Sequence, residues 1–513
     1  MNRILDIDTV KETLAAFSWD RLWALFDGSA ERMNLAHECL DRHRVRGTAV
    51  SIKFADGHVE HHDFARLADL TGRFANWLCR RGIGKGDRVA VMLEPSLGFY
   101  VSLFGAVKRG AIGVPLFTLF GPQALALRID DCKPRLLLVD EDAARLSAAF
   151  PETQVVRVDA AFWAELAAEN AEFPADTRAN DVAIFQYTSG TTRELPEAVK
   201  HSHRAVVTLM VAALYGVGLK PGDRYFCPSS PAWGHGLWHG TIAPLALGIH
   251  IGAYSGKFDP ARIVEALAEL QIDNFAAAAT VFRMIRNAGT LEPGRLHIPK
   301  ISFTGEPIDP ETAAWVERTL GSPACSMYGT TEVGVVVVNF PGFTDYRIKP
   351  GALGKPAPGW EVAIIDQQGQ ELPPGQSGEI AVRRKGEWFY IKDRGRRDEE
   401  GYFFHEGRSD DVIISAGWTM SAVEIENSLM RHPAVLEAAV IGVPDALRGQ
   451  VVRAYIVARR RGDEVTADIQ AFMKRQLSQH EYPRQIEFVD ALPKTPAGKV
   501  NRKLLREGAA QSR

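Results

Sequence analysis

Long apolar runs are missing from this chain: no stretch reaches the ~20 apolar residues that a membrane-spanning helix needs. The first residues, MNRILDIDTVKETLAAF, interleave charges with apolar side chains at helical spacing, so they hold no unbroken apolar core of signal-peptide type. Cysteine is scarce too. Cys39, Cys79, Cys132, Cys227 and Cys325 are odd in number, scattered, and never spaced Cys-x-x-Cys, which points to reduced thiols rather than a disulfide framework or a zinc cluster. A cytoplasmic protein is the expectation. Neither sign of charge is in excess: the formal net charge is -3, so no basic field draws nucleic acid or anionic lipid, and neither is expected as a partner. Internal repeats and low-complexity segments are absent. A Walker loop is absent as well, because the Gly-Lys pairs at Lys85, Lys257, Lys355 and Lys499 are never followed by Ser or Thr.

What is present is an ordinary globular composition, 46% hydrophobic and 24% charged, spread over 513 residues, more than one core usually organises. Leu67, Leu70, Phe74 and Leu78 recur at three- and four-residue steps and predict a helix over 64–81. A glycine-rich break follows, then a buried strand at 88–93, a helix at 97–108 and a strand at 111–115. Such alternation favours a mainly parallel sheet covered by helices. A strand at 181–186 would deliver the segment after it from a strand end, where open α/β sheets bind ligands. Past Gly375 the pattern changes to a strand at 378–382, an exposed charged loop at 392–400 and a short strand at 401–404. A helix at 422–431, strands around 438–440 and 454–457, and a helix at 468–479 with Ile469, Phe472, Met473 and Leu477 on one face complete the chain. The expected fold is α/β, a large N-terminal domain of layered subdomains over 1–408 and a small α+β domain over 409–513.

Thr188-Ser189-Gly190-Thr191-Thr192 supplies hydroxyls, N–H groups and a glycine for close approach, which suits either a phosphate cradle or a plain turn. Met327-Tyr328-Gly329-Thr330-Thr331-Glu332 places an aromatic ring and a carboxylate on a tight turn, suited to a nucleobase and to Mg²⁺. Arg408 stands beside Ser409, Asp410 and Asp411, and Lys499 lies on a Pro/Gly-framed loop. In this order, with Trp233-Gly234-His235-Gly236, Gly305-Glu306-Pro307 and Gly351-x-x-Gly354-Lys355-Pro356, the motifs resemble the adenylate-forming superfamily and, more closely, its AMP-forming acyl-CoA synthetases. The likeness spans nearly the whole chain.

The resemblance implies two half-reactions with ATP, Mg²⁺ and coenzyme A. A carboxylate first attacks the α-phosphate of ATP, releasing pyrophosphate, and a thiol then attacks the acyl-adenylate, releasing AMP. By the same resemblance, Lys499 bridges carboxylate and α-phosphate, Glu332 holds Mg²⁺ and Thr331 lies beside the α-phosphate. Asp393 with Arg408 would hold the ribose, Gly305, Glu306 and Pro307 would flank adenine, and Tyr328 would lie against its face, with Gly329 and Thr330 completing that turn. The small domain would swing about Asp410, withdrawing Lys499 and bringing in Gly417 and Trp418 to line a pantetheine tunnel. Trp233, His235, Gly236, Ala278, Ala279, Phe303, Thr304 and Gly329 would wall the acyl pocket. His235, His239 and His250 are too irregularly spaced for a metal site and suit packing or a pocket better.

Departures from the family pattern concern phosphate contacts. After Thr192 the chain runs Arg193-Glu194-Leu195-Pro196-Glu197-Ala198, one residue longer than the family loop and with Glu where a lysine belongs; Arg193 or Lys200 would replace that charge. Lys392 replaces a glycine, and Thr419 stands where many relatives carry an arginine. Relatives dedicated to acetate carry a tryptophan at the place of Gly329, so glycine is expected to leave the pocket open. Small, apolar walls suit a medium-chain, branched, alicyclic or aromatic monocarboxylate. The expected activity is therefore that of an AMP-forming acid–CoA ligase. A carrier-loading adenylation enzyme and a non-catalytic nucleotide-binding relative are the alternatives, and a homo-oligomer is left open.

Overall fold

The computed structural model describes all residues except 1–2, 121, 142, 188–197, 306, 331–332, 409–412, 416–417, 421, 446–448, 477–481, 496–498 and 512–513. Two mainly parallel sheets carry the large domain. The six-stranded one runs in the order Gln154–Arg157, Leu136–Val139, Arg88–Met92, Ile112–Pro115, Val182–Gln186, Val199–Ser202, with only the last pair antiparallel. Helices Phe64–Arg80 and Leu97–Arg109 pack on it. Each starts at a side-chain cap, Asp63 accepting from the Arg66 N–H and Ser96 from the Phe99 N–H, which satisfies donors the first turn leaves open. Leu67, Phe74 and Leu78 are fully buried from the expected face.

The nine-stranded sheet sets the geometry of the site. Its strands Asn274–Ala278, Lys300–Thr304 and Ala324–Thr330 are parallel neighbours in register, Ala278 opposite Thr304 and Phe303 opposite Ser326. Their carboxyl ends therefore open together on one edge, the position where open α/β sheets bind ligands.

A four-stranded antiparallel sheet follows, Val362–Ile365, Ser377–Arg384, Glu387–Arg397 and Phe403–Arg408. Here the structure corrects the sequence reading: residues 392–397 are not exposed loop but the second half of an 11-residue strand. The charges misled because the strand bulges, Arg394 pairing with Glu379 and Tyr390 with Ala381. At that bulge Lys392 takes φ +66, a left-handed conformation that glycine adopts without strain. Its N–H donates to Glu379 Oε1 at 3.2 Å.

The small C-terminal domain forms its own core of Ile413, Ile425, Leu429, Val440, Ile456, Ile469 and Met473. The strands foreseen around 438–440 and 454–457 are the middles of Val435–Asp445 and Gly449–Ala458. The helix foreseen at 468–479 begins earlier, spanning Asp463–Gln476, and that foreseen at 422–431 spans Ala422–Leu429. A final helix, Arg502–Gln511, is added by the structure, tied back by Arg502 to Glu426 at 2.7 Å. All five cysteines are free thiols, and among the described residues no helix is long and apolar enough to cross a membrane.

Candidate active site

Three segments distant in sequence meet at the open edge. Gly305 directly follows the strand Lys300–Thr304, and a Cβ built on it would lie 3.3 Å from Cη2 of Trp233 and 3.6 Å from Cε of Lys499. Lys499 is half-buried on a loop closed by backbone bonds from Thr495 N–H to the Lys499 carbonyl (2.7 Å) and from Asn501 N–H to the Pro493 carbonyl (2.7 Å). Its own N–H donates to Thr495 Oγ1 at 3.3 Å. The small domain thus lays its lysine stem against Gly305 of the large domain, which the indole also approaches.

A polar cluster stands at the bulge. Tyr328 Oη donates to Asp393 Oδ2 at 2.7 Å, and His405 Nε2 lies 3.7 Å from the same oxygen. Asp393 is only 7% exposed, so this hydroxyl replaces hydration that a buried carboxylate has lost. Arg408 is the cross-strand partner of Asp393 by backbone register. His405 escaped the sequence reading; its one signal was membership of the segment that already held Arg408.

Gln186, at the end of its strand, also escaped. Its Oε1 accepts from Trp238 Nε1 at 2.6 Å, and a Cβ on Gly234 would come within 2.5 Å of its Nε2. This ties the strand that leads into the phosphate-loop candidate to the Trp233 segment. Lys200 stands opposite Phe185, not Gln186, with its exposed ammonium 5.4 Å from the Phe185 ring. Side chains alternate along a strand, so Lys200 occupies the face away from Gln186.

The acyl-pocket residues separate into two groups. Trp233, His235, Ala278 and Thr304 lie on the site edge, Thr304 Oγ1 donating to the Met327 carbonyl at 2.9 Å. Phe303 and Ala279 do not join them: both pack in the core cluster with Phe275 and Phe282, because Phe303 points to the opposite face from Thr304. Gly329 carries a constraint of its own. A Cβ there would lie 1.8 Å from the Gly334 carbonyl oxygen and 2.8 Å from Val335 Cα, so backbone packing against strand Gly334–Val338 demands a glycine. Gly236 is similar, its Cβ position lying 2.2 Å from the Ser230 carbonyl oxygen.

His235 and His239 sit on a π-helical segment, His235–Ile242, with ring centroids 5.9 Å apart. Burial pushes His235 down to about 3, with a smaller contribution from His239, and burial pushes His239 down to about 4. Both rings are neutral at physiological pH. His250 instead shares the Ser51 hydroxyl at 2.7 Å, away from them.

Thr188, Ser189, Gly190, Thr191, Thr192, Arg193, Glu306, Thr331, Glu332, Asp410 and Gly417 lie outside the described residues, as do the side chains of Arg408, Trp418 and Thr419. Pro307 is exposed, and Thr330 Oγ1 is buried without a hydrogen-bond partner among the described residues. Among them no three His, Cys, Asp or Glu side chains converge as a metal site.

An ammonium-bearing stem from a small domain near an aromatic wall at the carboxyl ends of parallel strands, with a buried carboxylate held by a tyrosine of one of those strands, is suited to binding a nucleotide beside a small acid. Known proteins match that description. The AMP-binding enzyme family matches residues 40–387, and the AMP-binding enzyme C-terminal domain matches residues 424–499. The chain belongs to the AMP-binding enzyme family and, within it, to the AMP-forming acyl-CoA synthetases, which are acid–thiol ligases. It is 30% identical to the acetyl-coenzyme A synthetase of Bacillus subtilis (strain 168), over 98% of this chain and 95% of that one. It is also 30% identical to the 4-hydroxybutyrate–CoA ligase 1 of Metallosphaera sedula, over 92% of this chain and 89% of that one. A crystal structure of a Brucella canis acyl-CoA synthetase superposes with a TM-score of 0.76 at 30% identity, covering 99% of this chain and 100% of that one.

Proposed function

We propose that the protein joins a medium-chain, branched, alicyclic or aromatic monocarboxylate to coenzyme A at the expense of ATP, with Lys499 serving only the first half-reaction. The observation that carries this reading is the approach of Lys499 Cε and of the Trp233 indole to Gly305. Two anions must meet in that step, and an ammonium group between carboxylate and α-phosphate offsets their repulsion while charge develops. Asp393, held by Tyr328, would accept the ribose hydroxyls with Arg408, and the tyrosine ring would lie along adenine. Thr188–Thr192 would cradle the phosphates with Thr331, flanked by Gly305, Glu306 and Pro307 on the adenine side.

Glu332 would hold Mg²⁺, which supplies charge neutralisation on the phosphates when bound. A metal held by one carboxylate plus substrate oxygens needs no cluster of protein ligands, in keeping with the described residues. Of the two cations that could replace the missing loop lysine, Arg193 is the better candidate, because Lys200 occupies the other sheet face. The domains would divide as 1–408 and 409–513, the second turning about Asp410 so that Gly417 and Trp418 receive the pantetheine arm. Neutral His235 and the uncharged Ala278, Thr304 and Trp233 favour a substrate with a single carboxylate, since a second one would be buried without a cation. The scattered free thiols support a cytoplasmic setting.

The test is pyrophosphate release with ATP, Mg²⁺ and a panel of acids, followed by mass detection of thioester after adding coenzyme A. Release with medium-chain or aromatic acids and a thioester of matching mass is expected. No release with any acid, or a panel in which only acetate reacts, overturns the reading.

A further inference from the structure

Buried polar groups in native proteins find hydrogen-bond partners, so adjacent ones without partners call for an explanation. His235 Nδ1 lies 3.1 Å from Ser229 Oγ, but its Nε2 is buried with no partner among the described residues. His239 Nδ1 is buried without one too, and among the described residues no hydrogen bond reaches its Nε2. His239 is half-buried, whereas Leu237, Trp238 and Gly240 beside it are buried.

The two rings follow on from Trp233. Trp233, which like Lys499 approaches Gly305, has its ring centroid 5.4 Å from that of His235, and the His239 centroid lies 5.9 Å from His235. From Gly305 the neighbouring rings run Trp233, His235, His239. The two histidines stand four apart on a π-helical segment, and such segments recur at functional sites.

We propose that His235 and His239 recognise a neutral hydroxyl on the tail of the acyl substrate, so that this ligase prefers a hydroxylated monocarboxylate to the unsubstituted acid of the same skeleton. The inference rests on the proposed ligase reading and narrows its substrate class. A neutral imidazole presents one N–H and one bare nitrogen. Two such rings with open nitrogens match a hydroxyl, which donates to one and accepts from the other. A second carboxylate or an ammonium finds no opposite charge among Trp233, His235, His239 and Ser229, and an alkyl tail leaves the nitrogens unpaired at the cost of their desolvation.

Matched pairs test this: linear acids against their ω-hydroxy forms over several lengths, and benzoate against para-hydroxybenzoate, each scored by kcat/KM for pyrophosphate release. At least one hydroxylated member is expected to exceed its partner by about tenfold or more, as sites built to pair a substrate hydroxyl discriminate strongly. His239→Leu should bring that ratio toward one, and His239→Gln, which keeps a donor and an acceptor, should retain part of it. Equal kcat/KM across all pairs, or an unchanged ratio in His239→Leu, overturns the inference while leaving the ligase reading intact. Absence of pyrophosphate from every acid overturns the ligase reading instead. In that event calorimetry with non-hydrolysable acyl-sulfamoyl adenosines, hydroxylated and plain, still decides: tighter binding of the hydroxylated one supports the inference, and equal binding refutes it.

Discussion

Mild acid should weaken the large domain, and the structure gives the size of the effect. Burial, the leading cause at each, pushes His43, His201, His203 and His239 down to about 4 and His235 to about 3. His203 shows why charging is resisted: its fully buried ring accepts the Leu35 N–H on Nδ1 at 3.0 Å, a bond that protonation there destroys. In the unfolded chain the same rings protonate near the ordinary histidine value of about 6.5. Between that value and the folded ones the unfolded state binds more protons, so stability is whole above about pH 7 and falls as the pH drops toward 4. At about pH 5.5, one unit below the unfolded value, each ring costs about 1 kcal/mol, and the five together on the order of 5 kcal/mol. Total stabilities are roughly 5–15 kcal/mol, so such a loss is large. Urea unfolding followed by tryptophan fluorescence at several pH values between neutrality and 5 measures it. His203→Gln should lower stability at neutral pH yet shallow the pH dependence by about one ring's share. A midpoint that does not move over this range, or an unchanged slope in His203→Gln, refutes the reasoning.

Three further outcomes follow from the site. At Lys392, φ +66 makes the order of thermal stability glycine, then lysine, then valine, the last step costing about 1–2 kcal/mol; a valine variant as stable as wild type contradicts the left-handed assignment. Gly329→Ala should lose at least about 1–3 kcal/mol through collision with the Gly334 carbonyl, read as a lowered melting temperature. A stably folded Gly329→Trp with a narrowed acid range would contradict that collision. Tyr328→Phe removes a hydrogen bond from a buried carboxylate and should cost about 1–3 kcal/mol of stability along with weakened ATP binding, checked by thermal shift with and without nucleotide.

Much of this architecture was legible because local pattern and tertiary packing agree. The apolar face of Phe64–Arg80 and the strand Val182–Gln186 follow from periodicity and are found where it puts them. Charge misled at residues 392–397, where a bulge lets a charged run occupy a strand and buries Asp393 within it. Site residues were legible as motifs, but their facing was not. Phe303 and Thr304 are adjacent in sequence and on opposite sides of a sheet, a fact set by strand register. Gly329 and Gly236 look like open space in a sequence, whereas the backbone atoms that exclude a side chain come from other segments. Gln186 and His405 carry no motif, and their roles arise from partners distant in the chain.

The role of Lys499 is tested most directly by separating the two half-reactions in Lys499→Ala. Pyrophosphate release should fall by about 100-fold or more, the order of effect seen when one charge-stabilising group is removed, while thioester formation from supplied acyl-adenylate stays near wild type. Equal losses in both halves, or an intact first half, would contradict the placement of this ammonium group between acid and ATP.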